Sequence, residues 1–149
     1  MRIYFDSCCL NRPFDDLSDN AVRMEYEAII SIIDNCGTSD WLYFSSDVIL
    51  DEILQITDDF RREKVMLFYY AATEHIAFSE VIFSRAKELE QGGVKSFDAL
   101  HVASAEAAAA DVLLTTDRKL INAAKRIGTQ IPVKNPLVWL AEVLYDRES

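Results

Sequence analysis

Four carboxylates sit where a folded chain has little structural use for an acid. Asp6 closes the apolar run Ile3-Tyr4-Phe5, and Asp117 follows the run Val112 to Thr115. Glu52 lies about 60° from Ile49 and about 40° from Ile56 around a helix, so it belongs to the apolar face, while Asp51 points away from it. An inward glutamate is costly unless it is paired or bound to a cation. Asp98 falls in the first turn of an alanine-rich helix, on the side of Val102 and Ala105. There the positive end of the helix favours its ionised form. Four such acids in one crevice repel, and some of their pKa values rise. A divalent cation relieves that repulsion, and oxygen-only ligands suit Mg²⁺ or Mn²⁺. One or two such ions, roughly 3.5–4 Å apart if two, activate a water and stabilise the leaving oxygen of a phosphodiester.

The elements that must position these acids can be read from the same sequence. Arg2 to Asp6 is a buried strand, and strands apolar on both faces belong to parallel sheets covered by helices. Ligands of such sheets bind beyond the carboxyl ends of the strands, where the strand order reverses. The turn formers Asn11, Pro13, Asp15 and Asp16 predict a loop over Ser7 to Ser18. A helix from Ser18 or Asp19 to Cys36, stopped by Gly37, carries Val22, Tyr26, Ile29, Ile30 and Ile33 on one face. Trp41 to Phe44 is the second strand, and Ser45-Ser46-Asp47 caps a helix to Ile56. Asp58-Asp59 opens a helix over Phe60 to Thr73, and His75 to Phe78 is a short strand. Ser79 caps a helix to Gln91, ended by Gly92-Gly93, and Ser96 caps the next helix, to Ala110. Val112 to Thr115 is a strand, and Asp117 to Ile127 a helix stopped by Gly128. Ile131 to Val133 is at best a short edge strand, and Pro136 opens a last helix to Tyr145. The alternation predicts one α/β domain over residues 1–149, with helices on both faces of a parallel sheet.

Composition bounds the remaining choices. A chain of 149 residues, 50% hydrophobic with only four glycines, builds a sizeable core. Cys8, Cys9 and Cys36 are odd in number, two are adjacent, and no Cys-x-x-Cys occurs, which predicts a reducing compartment without disulfides. With no leader and no long apolar run, the expectation is a cytoplasmic protein without a membrane anchor. The net charge of −10 runs against a non-specific nucleic-acid binder.

Each candidate also has a plainer structural reading. Asp98 and Asp117 could be helix-terminal residues, Asp6 a turn former, and Glu52 the partner of a buried cation. His101, three residues after Asp98, reads as a neutral core histidine more readily than as a ligand or base. Cys8 and Cys9 read as packed thiols more readily than as ligands of a soft metal. The run Val65 to Tyr70 is a buried helix or a homodimer face.

Taken together, the chain resembles a PIN domain, the nuclease domain of VapC-type toxins. The resemblance rests on Ile3-Tyr4-Phe5-Asp6-Ser7 with Asn11-Arg12-Pro13, on Asp51-Glu52-Ile53, on Phe97 to Ala103, and on Leu114 to Leu120. It implies a three-layer α/β/α fold around a parallel sheet of four or five strands, and a Mg²⁺- or Mn²⁺-dependent endoribonuclease. It carries the metal-binding and catalytic role onto Asp6, Glu52, Asp98 and Asp117, with Thr115 supporting the metal site and Asn11 beside it. It also implies an RNA substrate, homodimerisation and a protein antitoxin. The adjacent Cys8 and Cys9 depart from the family's commoner small polar or aliphatic residues. Arg12, Lys95, Arg118 and Lys119 lie close in sequence to the acids and would contact substrate phosphates.

Two other functions compete. A PIN-like binding or regulatory module would keep the fold with little nuclease activity. A phospho-acceptor receiver domain needs an acidic pair after the first strand and a lysine after a late one. Here Ser7 follows Asp6, and the late strand ends in Thr115-Thr116-Asp117.

Overall fold

The computed structural model describes residues 1–148. Five strands, β1 (Arg2–Phe5), β2 (Leu42–Ser46), β3 (Glu74–Ile76), β4 (Val112–Leu114) and β5 (Val133–Lys134), form one parallel sheet in the order β3-β2-β1-β4-β5. The helices are α1 (Ser7–Asn11), α2 (Asn20–Thr38), α3 (Asp47–Leu54), α4 (Asp59–Ala71), α5 (Glu80–Gln91), α6 (Ser96–Ala107), α7 (Arg118–Ile127) and α8 (Pro136–Glu148). They cover both faces of the sheet, as the alternation predicts.

Side-chain chemistry explains why β1 is central. Ile3, Tyr4 and Phe5 are fully buried, and burial of each contributes roughly 1.5–3 kcal/mol, which only a strand covered on both sides can collect. The chain steps outward from β1 through β2 to β3, then returns to β4 on the other side of β1. The strand order therefore reverses between β1 and β4, whose register pairs Ile3 with Val112, Tyr4 with Leu113 and Phe5 with Leu114.

Several boundaries differ from the sequence expectation, the main ones for local reasons. The segment read as a loop after Asp6 folds instead into α1 and a 3-10 turn, Arg12–Phe14. Asp6 caps α1 by accepting the Cys9 N–H, and Asn11 turns its Nδ2 back onto the Ser7 carbonyl, so the turn formers are satisfied inside a helix. Gly37 does not end α2, which runs to Thr38 and closes through the Ser39 N–H on the Asn35 carbonyl. Ser96 is the first residue of α6 rather than its cap. The capping position is Lys95, whose side chain cannot accept a hydrogen bond. That helix stops at Ala107 because Ala109 takes a left-handed φ of 52° and lets the Ala110 N–H reach the Ala105 carbonyl. Finally, Val133–Lys134, not Ile131 to Val133, forms the edge strand, since Pro132 supplies only its carbonyl, to the Leu113 N–H.

Candidate metal centre

Asp6 and Asp117 leave the carboxyl ends of β1 and β4, the neighbouring strands at which the order reverses. The Asp6 N–H extends the ladder to the Leu114 carbonyl at 3.1 Å. Asp117 caps α7 through the Lys119 N–H at 2.9 Å, and its own N–H is held by Thr115 Oγ1 at 3.1 Å. Asp98 stands third in α6, behind a cap with no side-chain acceptor, where its charge offsets the exposed helix N-terminus. Glu52 comes from α3, the helix that Ser46 caps through the Ile49 N–H.

A buried chain of hydrogen bonds fixes Glu52. Ser46 Oγ lies 2.9 Å from the Tyr4 hydroxyl, which lies 2.7 Å from His101 Nδ1. His101 Nε2 contacts Glu52 Oε1, and Ser7 Oγ donates to the same oxygen at 2.7 Å. One proton assignment satisfies every member. Ser46 donates to Tyr4, Tyr4 donates to His101 Nδ1, and Nε2–H donates to the carboxylate. Burial pushes the Glu52 carboxyl up, but the His101 contact and the Ser7 hydroxyl carry it below the usual carboxylate range. Among the described residues nothing donates to Glu52 Oε2. His101, 1% exposed, is the core histidine the sequence predicts, and it also holds a site residue.

The opposite wall is less settled. Asp6 is 3% exposed, and burial pushes its carboxyl well up, with Cys8 adding to the rise. Its Oδ1 accepts the Cys8 thiol at 2.7 Å and the Cys9 N–H at 3.2 Å. Cys8 Sγ in turn receives the Thr116 N–H at 3.3 Å and the Thr116 hydroxyl at 3.1 Å. Its neighbour Cys9 and these donors bring the Cys8 thiol down to about 6 against the opposing effect of burial, while burial pushes the Cys9 thiol up. Asp98 is half-buried and receives no hydrogen bond from any described residue. Burial first, then the Asp117 carboxylate, and more weakly Glu52, push its carboxyl up.

These features test the fit of a hard cation. A half-buried carboxylate without donors, facing Asp117 and Glu52, is a group that a divalent ion would satisfy, and the four acids offer oxygen donors of the right kind. The spacing is loose, however. Among the described residues the one trio of His, Cys, Asp or Glu ligand atoms lying within 4.8 Å of one another is Asp6, Cys8 and Cys9, so no three of the four acids close to that distance.

The remaining predicted residues divide sharply. Arg12 is paired with Glu25 at 2.7 Å and Asp15 at 3.0 Å, and its guanidinium is not free to meet a phosphate. Asn11 points back onto its own helix. Lys95, Arg118 and Lys119 are exposed and make no ion pair among the described residues. The sequence reading missed Ser7, Tyr4 and Ser46 as supports of Glu52. Residues 118–141 contain no Asp or Glu, yet hold five of the fifteen Lys and Arg, Lys125 among them. Elsewhere ten cations face all 25 acids. Arg118, Lys125 and Lys134 from this stretch line a groove between α7, β5 and α8.

No protein-family model matches the chain, and no curated protein matches it. Among solved structures it is similar to VapBC2 from Rickettsia felis bound to a DNA fragment from the promoter of that pair. The identity is 19% over 91% of this chain and 98% of the other, with a TM-score of 0.60. The fold is thus the PIN-like three-layer α/β arrangement of a VapC protein, with five parallel strands. Among the described residues no helix is long and apolar enough to cross a membrane.

Proposed function

We propose that this chain is a single PIN-like domain acting as a Mg²⁺- or Mn²⁺-dependent endoribonuclease, the toxin of a two-protein pair whose partner is an antitoxin. The observation that carries the reading is Asp98. It is half-buried, has no donor among the described residues, and is raised by burial and by the facing carboxylates. Asp6, Asp98 and Asp117 would hold the ion, with Glu52 beside them. Such an ion lowers the pKa of a bound water and stabilises the leaving oxygen of a phosphodiester.

The chain's own groups supply the remainder. The His101 and Ser7 contacts favour the ionised form of Glu52 and leave its second oxygen without a donor among the described residues. Thr115 holds the backbone at Asp117, and Asn11 braces α1 behind Asp6. Lys95, Arg118, Lys119 and Lys125 would draw in the RNA backbone, which explains how a chain of net charge −10 meets a polyanion. The exposed apolar residues Phe60, Leu67 and Tyr70 of α4 would supply the homodimer face. A cytoplasmic setting follows from the RNA substrate.

The test is cleavage of a mixed RNA pool by purified protein with Mn²⁺, with and without EDTA, beside Asp98→Asn. The expected result is EDTA-sensitive cleavage that falls on the order of 10³-fold in the variant, at unchanged circular dichroism. Equal activity in Asp98→Asn would sink the reading. One observation favours the second reading, a PIN-like binding or regulatory module with little activity. Glu52 already has two protein donors, and no three of the acids close to 4.8 Å. Calorimetry separates the two, because the module would bind no Mn²⁺.

A further inference from the structure

We propose that Asp6, Cys8 and Cys9 form a site for a thiophilic divalent cation of the zinc class, at the same aspartate that would hold the hard ion. The trio's ligand atoms lie within 4.8 Å of one another. The geometry follows from the fold. Asp6 caps α1, which draws its carboxylate back over the first turn, where the two sulfurs stand. Two sulfurs and one oxygen form a donor set that selects zinc over magnesium. It leaves a fourth tetrahedral position for water.

The surroundings suit a bound thiolate. The Thr116 N–H and hydroxyl already point at Cys8 Sγ, 3.3 and 3.1 Å away, and would steady it as a ligand. Cys9 Sγ now donates to the Leu114 carbonyl at 3.3 Å. That carbonyl keeps the Asp6 N–H when the thiol turns to a metal. Neither cysteine is in a disulfide. On binding, each thiol gives its proton to solvent as its sulfur coordinates. Two protons leave and a doubly charged ion enters, so the trio keeps the single negative charge of Asp6, and the nearby acids see no added negative charge. Because Asp6 belongs to both sets, the two kinds of ion compete for its carboxylate. Only this last consequence rests on the proposed function.

The test uses the full chain, reduced, titrated with Cd²⁺ and followed by the thiolate-to-metal charge-transfer absorption in the ultraviolet. The expected result is a band that saturates at one equivalent, vanishes in Cys8→Ser and in Cys9→Ala, and survives in Cys36→Ala. Cys8 is less buried than Cys9 and serine keeps its shape, so Cys8→Ser carries the test even if the Cys9 variant fails to fold. No band in the unaltered protein, or one unchanged in Cys8→Ser, overturns the site. Manganese binding is then read by electron paramagnetic resonance. Saturating Cd²⁺ is expected to weaken Mn²⁺ binding, and a Mn²⁺ affinity unchanged by Cd²⁺ would overturn the shared aspartate. A protein that gives the band but cleaves no RNA keeps this site and loses the nuclease. One that cleaves RNA with Mn²⁺ but gives no band loses only this site.

Discussion

The two walls of the cleft treat their carboxylates in opposite ways. On the α3 side, Glu52 ends a relay of hydrogen bonds that starts at Ser46, and it stays below the usual carboxylate range. Outside that relay, Asp6 after β1 and Asp98 at the start of α6 are pushed above it, and Asp98 has no donor among the described residues. The fold thus meets Glu52 with the Ser7 and His101 contacts, and meets Asp98 with no donor among the described residues. It follows that damage to the first wall should register as lost stability, and damage to the second as lost cation affinity.

The largest effect is expected from His101→Ala. The change opens a cavity at a site 1% exposed and strips Glu52 and Tyr4 of their shared partner. A cost of about 3 kcal/mol is expected in urea unfolding. A loss below about 1 kcal/mol would mean that the relay is ornamental and the contrast between the walls false.

Tyr4→Phe removes only the central hydroxyl and keeps the ring in the core. It leaves His101 Nδ1 without a donor, an unsatisfied buried acceptor that costs about 1–3 kcal/mol. Mn²⁺ affinity, measured by calorimetry, should barely change, because the hydroxyl supports Glu52 alone. An affinity loss as large as the stability loss would merge the two walls into one unit.

The legible and illegible parts of the sequence follow the same division. Asp6 and Asp117 were readable because apolar runs announce strands, and a parallel sheet binds ligands at strand ends. Glu52 was readable from helix periodicity alone. Its relay was not, since a tyrosine inside Ile3-Tyr4-Phe5 reads as one more apolar residue until the fold brings α6 over it. The helix after Asp6 was hidden by Asn11 and Pro13, which usually mark turns and here stabilise short helical pieces. Arg12 looked like a phosphate ligand because the partner that neutralises it, Glu25, is thirteen positions away on α2.

On the other wall, Thr115→Val tests the converse. Thr115 is fully buried, and its hydroxyl receives the Asp117 N–H while lying 3.4 Å from Cys8 Sγ. The valine keeps the volume but leaves the half-buried Asp117 N–H without its acceptor, so a stability loss of about 1 kcal/mol is expected. Mn²⁺ affinity should fall by about tenfold, in the range typical of a lost group behind a metal ligand. The reverse outcome, a stable cation site in a destabilised protein, would show that Thr115 is a packing residue only.

The smallest effect extends the contrast from acids to cations. Arg12 is neutralised within the fold, whereas Lys125 sits in the acid-free stretch 118–141 with no ion pair among the described residues. Single-stranded RNA binding loses affinity with salt at a logarithmic slope of about 0.7 per phosphate contact. Lys125→Ala should therefore reduce the slope by about 0.7 with stability unchanged, because an exposed unpaired lysine on a helix contributes little to folding. Arg12→Ala should do the opposite, leaving the slope alone while the half-buried Glu25 loses its cation, keeping only the Asn135 amide, and stability drops. Fluorescence anisotropy with a labelled oligonucleotide at several salt concentrations measures both. Equal slopes for the two variants would place the RNA elsewhere on the surface and return the acid-free stretch to the status of a solvated helix.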